Sequence, residues 1–273
     1  MKIIFFGASK FVLPLIDMLH ANFELALVIT TERSPLDAVP QFCQQKNIPF
    51  LSIRSLDEAI GTITEKKAEL GVLAYFGMLL PQNVLQTFPR GILNIHPSLL
   101  PKYRGATPVQ SAVLSGDHET GVSIIKLDEH MDHGPILAQE KEIIHPEDTT
   151  ETLHGRLFTK GTHMLQSLIP EYIDGTIRLQ NQEHDKAVFT KHSLIKQDGY
   201  FDSNNPPSHL DRMIRAYYPW PAVWTKLPIN GKEKIVKFLP GGKLQVEGKN
   251  PMSVKDFLNG YPSLKPLIEK ILP

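Results

Sequence analysis

Three side chains of the 273-residue chain have the types and spacing to move protons around a reacting carbonyl. Asn94 and His96 lie two apart at the end of Gly91–His96, an apolar run that reads as a buried strand. In extended chain they project from one face. Polar side chains paired there need a reason. One is a buried histidine satisfied by its asparagine neighbour, the commoner case for an isolated Asn-x-His. The other is chemistry. Asp132 falls in the loop Glu129–Pro135 between two further apolar runs, where Gly134 permits the tight backbone that turns a carboxylate inward. An amide, an imidazole and a carboxylate brought together suit acyl-type transfer. The imidazole handles protons, the amide donates to an oxyanion, and the carboxylate orients and charges the imidazole.

Other chemistries fit less well. Cys43 is the single cysteine and no Gly-x-Ser-x-Gly occurs, so a covalent intermediate lacks its nucleophile and the substrate's own nucleophile attacks directly. His130 and His133 flank Asp132 loosely, with no fourth ligand, and no metal is expected. The first turn, Gly7-Ala8-Ser9-Lys10, lacks the Gly-x-Gly-x-x-Gly spacing, which disfavours a nicotinamide or nucleotide cofactor.

The elements that must position these residues alternate between strand and helix patterns. Strands are expected at Lys2–Phe6, Leu25–Thr30, Pro49–Ile53, Leu70–Tyr75, Gly91–His96, Val122–Leu127 and Ile136–Ile143. Helical stripes lie between them, with capping boxes read at Ser55/Glu58 and Asp148/Glu151. This order predicts an α/β fold with a Rossmann-like, doubly wound parallel sheet. Residues 1–180 are expected as the catalytic domain and 181–207, polar and turn-rich, as a linker. Residues 208–273 are expected as a small basic β domain with short strands at Val223–Leu227, Lys234–Phe238 and Lys243–Val246.

Charge separates the same regions. Residues through Asp185 hold 15 Lys+Arg against 22 Asp+Glu, and those after it hold 14 against 7, so the net zero conceals an acidic and a basic part. A basic part of this kind faces a polyanion, attracts the acidic part, or carries scattered solubilising lysines. The longest apolar run, Leu70–Leu80, is too short to span a bilayer, and the lone thiol excludes an internal disulfide. A cytoplasmic protein without membrane contact is expected.

The run Asn94-Ile-His-Pro-Ser-Leu-Leu-Pro101, continued by Tyr103-Arg104-Gly105, resembles the signature of the N10-formyltetrahydrofolate-dependent formyltransferases. Gly121-Val-Ser-Ile124 through Asp128-Glu129-x-Met131-Asp132-x-Gly134 is similar to the family's second motif. The resemblance implies Asn94, His96 and Asp132 as catalytic residues and Ser98, Leu99, Leu100 and Pro101 as the folate-contacting stretch. It implies that Leu70–Tyr75 and the loop from Gly77 wall the pterin pocket. N10-formyltetrahydrofolate is the implied co-substrate. Ile214–Trp224, with its Tyr-Tyr-Pro-Trp-Pro core, is similar to the segment that leads into an OB-like tRNA-contacting domain. The implied acceptor is initiator methionyl-tRNA, and the alternative is the amino sugar of a sugar nucleotide. Two departures stand out. Thr31–Cys43 is short and carries Arg33 alone against Glu32 and Asp37, where tRNA-acting members have a long basic insertion, and the C-terminal domain is abbreviated.

Overall fold

The structure, a computed structural model, describes residues 1–31 and 37–272. Glu32 and Arg33, part of the short stretch after the second strand, lie outside the described residues. In chain order the elements are β1 (Lys2–Phe6), α1 (Leu13–Asn22), β2 (Glu24–Thr31), α2 (Ala38–Lys46), β3 (Phe50–Ile53), α3 (Asp57–Lys66), β4 (Leu70–Leu73), α4 (Gln82–Leu85), β5 (Ile92–His96), α5 (Pro108–Ser115), β6 (Glu119–Lys126), β7 (Ile136–Ile143) and α6 (Thr150–Ile173). There follow α7 (Leu210–Ala216), β8 (Val223–Ile229), β9 (Lys232–Leu239), β10 (Lys243–Val246), β11 (Met252–Ser253), α8 (Val254–Gly260) and α9 (Lys265–Ile271).

These elements form two compact units. The first comprises residues 1–108, 119–143 and 154–190, and the second 109–118, 144–153 and the chain from 191 onward. In the first, the strand order is β3-β2-β1-β4-β5-β6-β7. The chain winds from β1 out to β3 and returns to β4 on the other side of β1, all in parallel. The order reverses between β1 and β4, so a crevice opens at their carboxyl ends. Ile3, Ile4, Phe5 and Phe6 are wholly buried, as a central parallel strand covered on both faces requires. Phe6 meets Phe76 and Phe88 edge to face at 5.5 and 6.0 Å.

The parallel series stops at β5, because β6 runs antiparallel to β5 and β7 antiparallel to β6. The stretch between β6 and β7 is too short for a crossover helix, so these strands can only form a hairpin. The helix caps also differ from expectation. On α6, Thr149 Oγ1 accepts from the Thr152 N–H at 3.2 Å and Thr152 Oγ1 from the Thr149 N–H at 3.0 Å, one residue beyond the expected box. Ser55 makes no side-chain cap on α3, although Glu58 accepts from the Arg54 N–H at 3.3 Å. Polar as they are, residues 180–190 are bonded into the first unit. Gln180 exchanges two backbone hydrogen bonds with Ile136, and Arg104 exchanges bonds of 2.8 Å with Val188 and Thr190.

The second unit holds an antiparallel sheet of order β11-β10-β9-β8. Val223, Thr225, Leu227 and Ile229 alternate with exposed Lys226 and Pro228, the pattern of a sheet with one solvated face. Segments from the middle of the chain complete this unit: Thr150 Oγ1 donates to the Ala216 carbonyl at 2.6 Å, and the Arg212 guanidinium to the Ser115 carbonyl at 3.1 Å. Trp224 is buried and donates Nε1–H to the Lys196 carbonyl at 3.0 Å, whereas Trp220 is 58% exposed.

No helix among the described residues is long and apolar enough to cross a membrane. Cys43 is buried on α2, and that burial pushes its thiol up to about 11. Almost no thiolate forms at neutral pH. A colourimetric thiol reagent should therefore leave the native protein unmodified over hours, and Cys43→Ser should keep full turnover. Rapid native-state labelling with loss of activity would contradict this.

Candidate active site

β5 delivers two of the three side chains. Asn94 and His96 alternate onto one face near its carboxyl end, and both are buried. The third arrives from the β6–β7 hairpin. Asp132 sits there with φ +48°, a left-handed conformation that costs an L-residue about 1–2 kcal/mol. Sequence reasoning assigned the backbone freedom to Gly134, but the left-handed residue is Asp132 itself. Gly134 is needed for space, since a Cβ there would overlap the Lys126 carbonyl oxygen. Gly134→Ala should therefore destabilise the fold by about 3 kcal/mol, read as a lower urea midpoint. An unchanged midpoint would show that the hairpin yields.

The three groups converge. His96 Nδ1 lies 3.5 Å from Asp132 Oδ1, and Asn94 donates an Nδ2–H to the same oxygen at 3.4 Å. Asp132 Oδ2 accepts from the Gly105 N–H at 2.8 Å. The group that holds His96 most closely was not anticipated. Its Nε2 lies 2.9 Å from the Tyr103 carbonyl, which can only accept, so Nε2 carries the hydrogen and Nδ1 is the ring atom turned to Asp132. Tyr103 also has a left-handed φ of +65°, set inside the proline-rich loop. No residue-type signal marks a backbone carbonyl, so only the fold could reveal it.

The loop after β5 is braced from beneath. Ser98 is wholly buried and donates Oγ–H to the Lys102 carbonyl at 2.6 Å. Ser123 Oγ donates to the Ser98 carbonyl at 2.6 Å and accepts from the Leu100 N–H at 3.0 Å. Leu100 is buried, whereas Leu99 and Pro101 are partly accessible. Of the four expected folate-contacting residues, Ser98 and Leu100 are buried within the loop, and Leu99 and Pro101 are the two with accessible surface. Arg104, also buried, is not among the site residues the sequence singles out, and it precedes Gly105, whose N–H holds Asp132. Desolvation lowers its guanidinium pKa, and the charges of Asp132 and Asp128 act against that shift. Beyond β4, Tyr75 stands partly exposed beside Phe11, His154 and Phe158, with ring centroids 5.4–6.2 Å away.

Neighbouring histidines take a different arrangement from the one weighed for a metal. His133 pairs with Asp128 Oδ2 at 2.7 Å, and the His130 N–H donates to Asp128 Oδ1 at 2.9 Å. Asp132 is not part of that group; Asp128, His130 and His133 bring their possible ligand atoms within 4.8 Å of one another.

A doubly wound sheet that brings an amide, an imidazole and a carboxylate together beside the end of β5 suits acyl-type group transfer. Residues 1–169 match the formyl transferase family, and the chain belongs to that family. It is 38% identical over 236 residues to the methionyl-tRNA formyltransferase of Chloroflexus aggregans, covering 82% of this chain and 76% of that one. To the methionyl-tRNA formyltransferase of Cereibacter sphaeroides it is 32% identical over 297 residues, covering 96% and 97%. A 4-N formyltransferase from Francisella tularensis shares the fold, with TM-score 0.69 at 16% identity over 88% of this chain and 97% of that one.

Proposed function

We propose that the enzyme transfers the formyl group of N10-formyltetrahydrofolate to the α-amino group of methionine esterified to initiator tRNA. The observation that carries this reading is the convergence of Asn94, His96 and Asp132 in a chain 38% identical to a methionyl-tRNA formyltransferase. The neutral amine attacks the formyl carbon, and the carbonyl oxygen becomes an oxyanion. Asn94 donates the second hydrogen of its amide to that oxygen, the first being held by Asp132. His96 takes the amine's proton at Nδ1 and returns it to the departing N10. Asp132 stabilises the imidazolium in between, and the Tyr103 carbonyl holds the ring's other nitrogen.

Leu99 and Pro101 offer accessible surface to the folate, and Tyr75 offers a flat aromatic wall that suits a pterin. Protons pass entirely through His96, so this mechanism needs no metal, and chelator treatment should leave turnover unchanged. Aminoacylated tRNA and reduced folate as substrates suit a cytoplasmic enzyme. The test is formyl transfer from formyltetrahydrofolate to charged initiator tRNA or to an amino-sugar nucleotide, run side by side. Preference for the sugar would overturn the acceptor while leaving the chemistry standing.

A further inference from the structure

We propose that Gln182 is the positioning residue that sets the Asp132 carboxylate against His96, acting as an amide bridge between the two loops that carry the site. The inference rests on the proton-transfer reading of Asn94, His96 and Asp132 given above. Gln182 is buried, and its amide makes four hydrogen bonds, its full capacity. Nε2 donates to the carbonyl of Asp132 at 2.9 Å and to that of Gly134 at 2.8 Å. Oε1 accepts from Arg104 Nε at 3.1 Å and Nη2 at 2.7 Å. Carbonyls only accept and a guanidinium only donates, so the amide has a single possible orientation.

These bonds close a ring. Arg104 precedes Gly105, whose N–H holds Asp132 Oδ2, while Gln182 holds the backbone carbonyl of Asp132 itself. The carboxylate is therefore fixed at both ends of its own residue, and the two supports are tied together through one amide. The left-handed Asp132 lies in the hairpin loop ahead of the point where backbone pairing resumes, at the Pro135 carbonyl that accepts from the Lys126 N–H at 2.9 Å. Gln182 is held in register by the paired backbone bonds between Gln180 and Ile136. A side chain that only filled space would need neither two donors on consecutive-turn carbonyls nor an acceptor for a buried guanidinium.

Gln182→Glu separates these roles. It keeps the acceptor for Arg104 and so the buried pairing, but it cannot donate to the Asp132 and Gly134 carbonyls. Gln182→Met, close in volume, removes both sides. Kinetics are read on whichever variant keeps the wild-type near-ultraviolet spectrum and thermal midpoint. The expected result is a roughly 10–100-fold loss in kcat, with KM for formyltetrahydrofolate and for charged tRNA within about twofold. In an Asp132→Asn background the same substitution should cost less than about threefold more, because its effect runs through that carboxylate. Full turnover in the Gln182 variant, with Asp132→Asn impaired, would overturn the proposal alone. So would an undiminished loss in the Asp132→Asn background, or failure of both variants to fold, which would make Gln182 a packing residue. Normal turnover in Asp132→Asn itself would overturn this inference together with the reading beneath it.

Discussion

Replacing His96 with alanine is expected to slow single-turnover formyl transfer by roughly 10²–10⁴-fold, the range a positioned acid–base group supplies. Affinity for formyltetrahydrofolate should change little, because the ring is buried under the site with Nε2 on the Tyr103 carbonyl and Nδ1 towards Asp132. Asn94→Ala should cost about 2.7–4 kcal/mol in the barrier, as loss of one oxyanion donor does, again with folate binding retained. The two effects should fall on kcat, since the roles proposed for both groups concern charge that develops during the reaction. Equilibrium binding of the folate beside rapid-quench transfer would separate them. Near-normal turnover in His96→Ala would remove the proton relay from the mechanism.

The second large effect is a steep loss of tRNA affinity with salt. The chain beyond Asp185 carries 14 Lys+Arg against 7 Asp+Glu, and Lys232, Lys237, Lys243 and Lys255 are exposed in the second unit. Each phosphate neutralised contributes roughly 0.7–0.9 to the slope of log affinity against log salt, so four contacts give a slope near −3. The KM for charged tRNA should rise accordingly, while the KM for the folate stays nearly constant. A tRNA KM indifferent to salt would contradict a phosphate-reading role for this region. Salt is a cleaner probe than truncation at residue 205. Removing the C-terminal part would strip Ser115 and Thr150 of their partners Arg212 and Ala216, and so damage segments that belong to the middle of the chain.

Much of this could be read along the chain. Asn94 and His96 are two apart on one strand, and the period of two alone places them on one face. The apolar runs located the strands, because burial of both faces leaves a continuous hydrophobic stretch. The two motifs were local enough to carry the family resemblance, and residues 1–169 belong to that family. Local patterns such as these survive in sequence because each depends on near neighbours.

The rest depended on contacts between distant segments. Strand direction after β5 is a property of pairing, which a run of apolar residues does not encode. The stretch after α6 is polar and turn-rich, and polarity reads as solvent exposure; its backbone pairs with Ile136 and Arg104 nonetheless, and Gln182 is buried through four hydrogen bonds to residues about 50 and 78 positions away. The carbonyl that holds His96 belongs to Tyr103, and a backbone carbonyl is common to every residue. Likewise the second unit draws in residues 109–118 and 144–153, which lie far from its sheet along the chain. Composition and spacing determined which groups could do the chemistry. Which atoms face which was decided only when the sheet, the hairpin and the returning segment closed around them, because hydrogen bonds between remote residues leave no period and no motif.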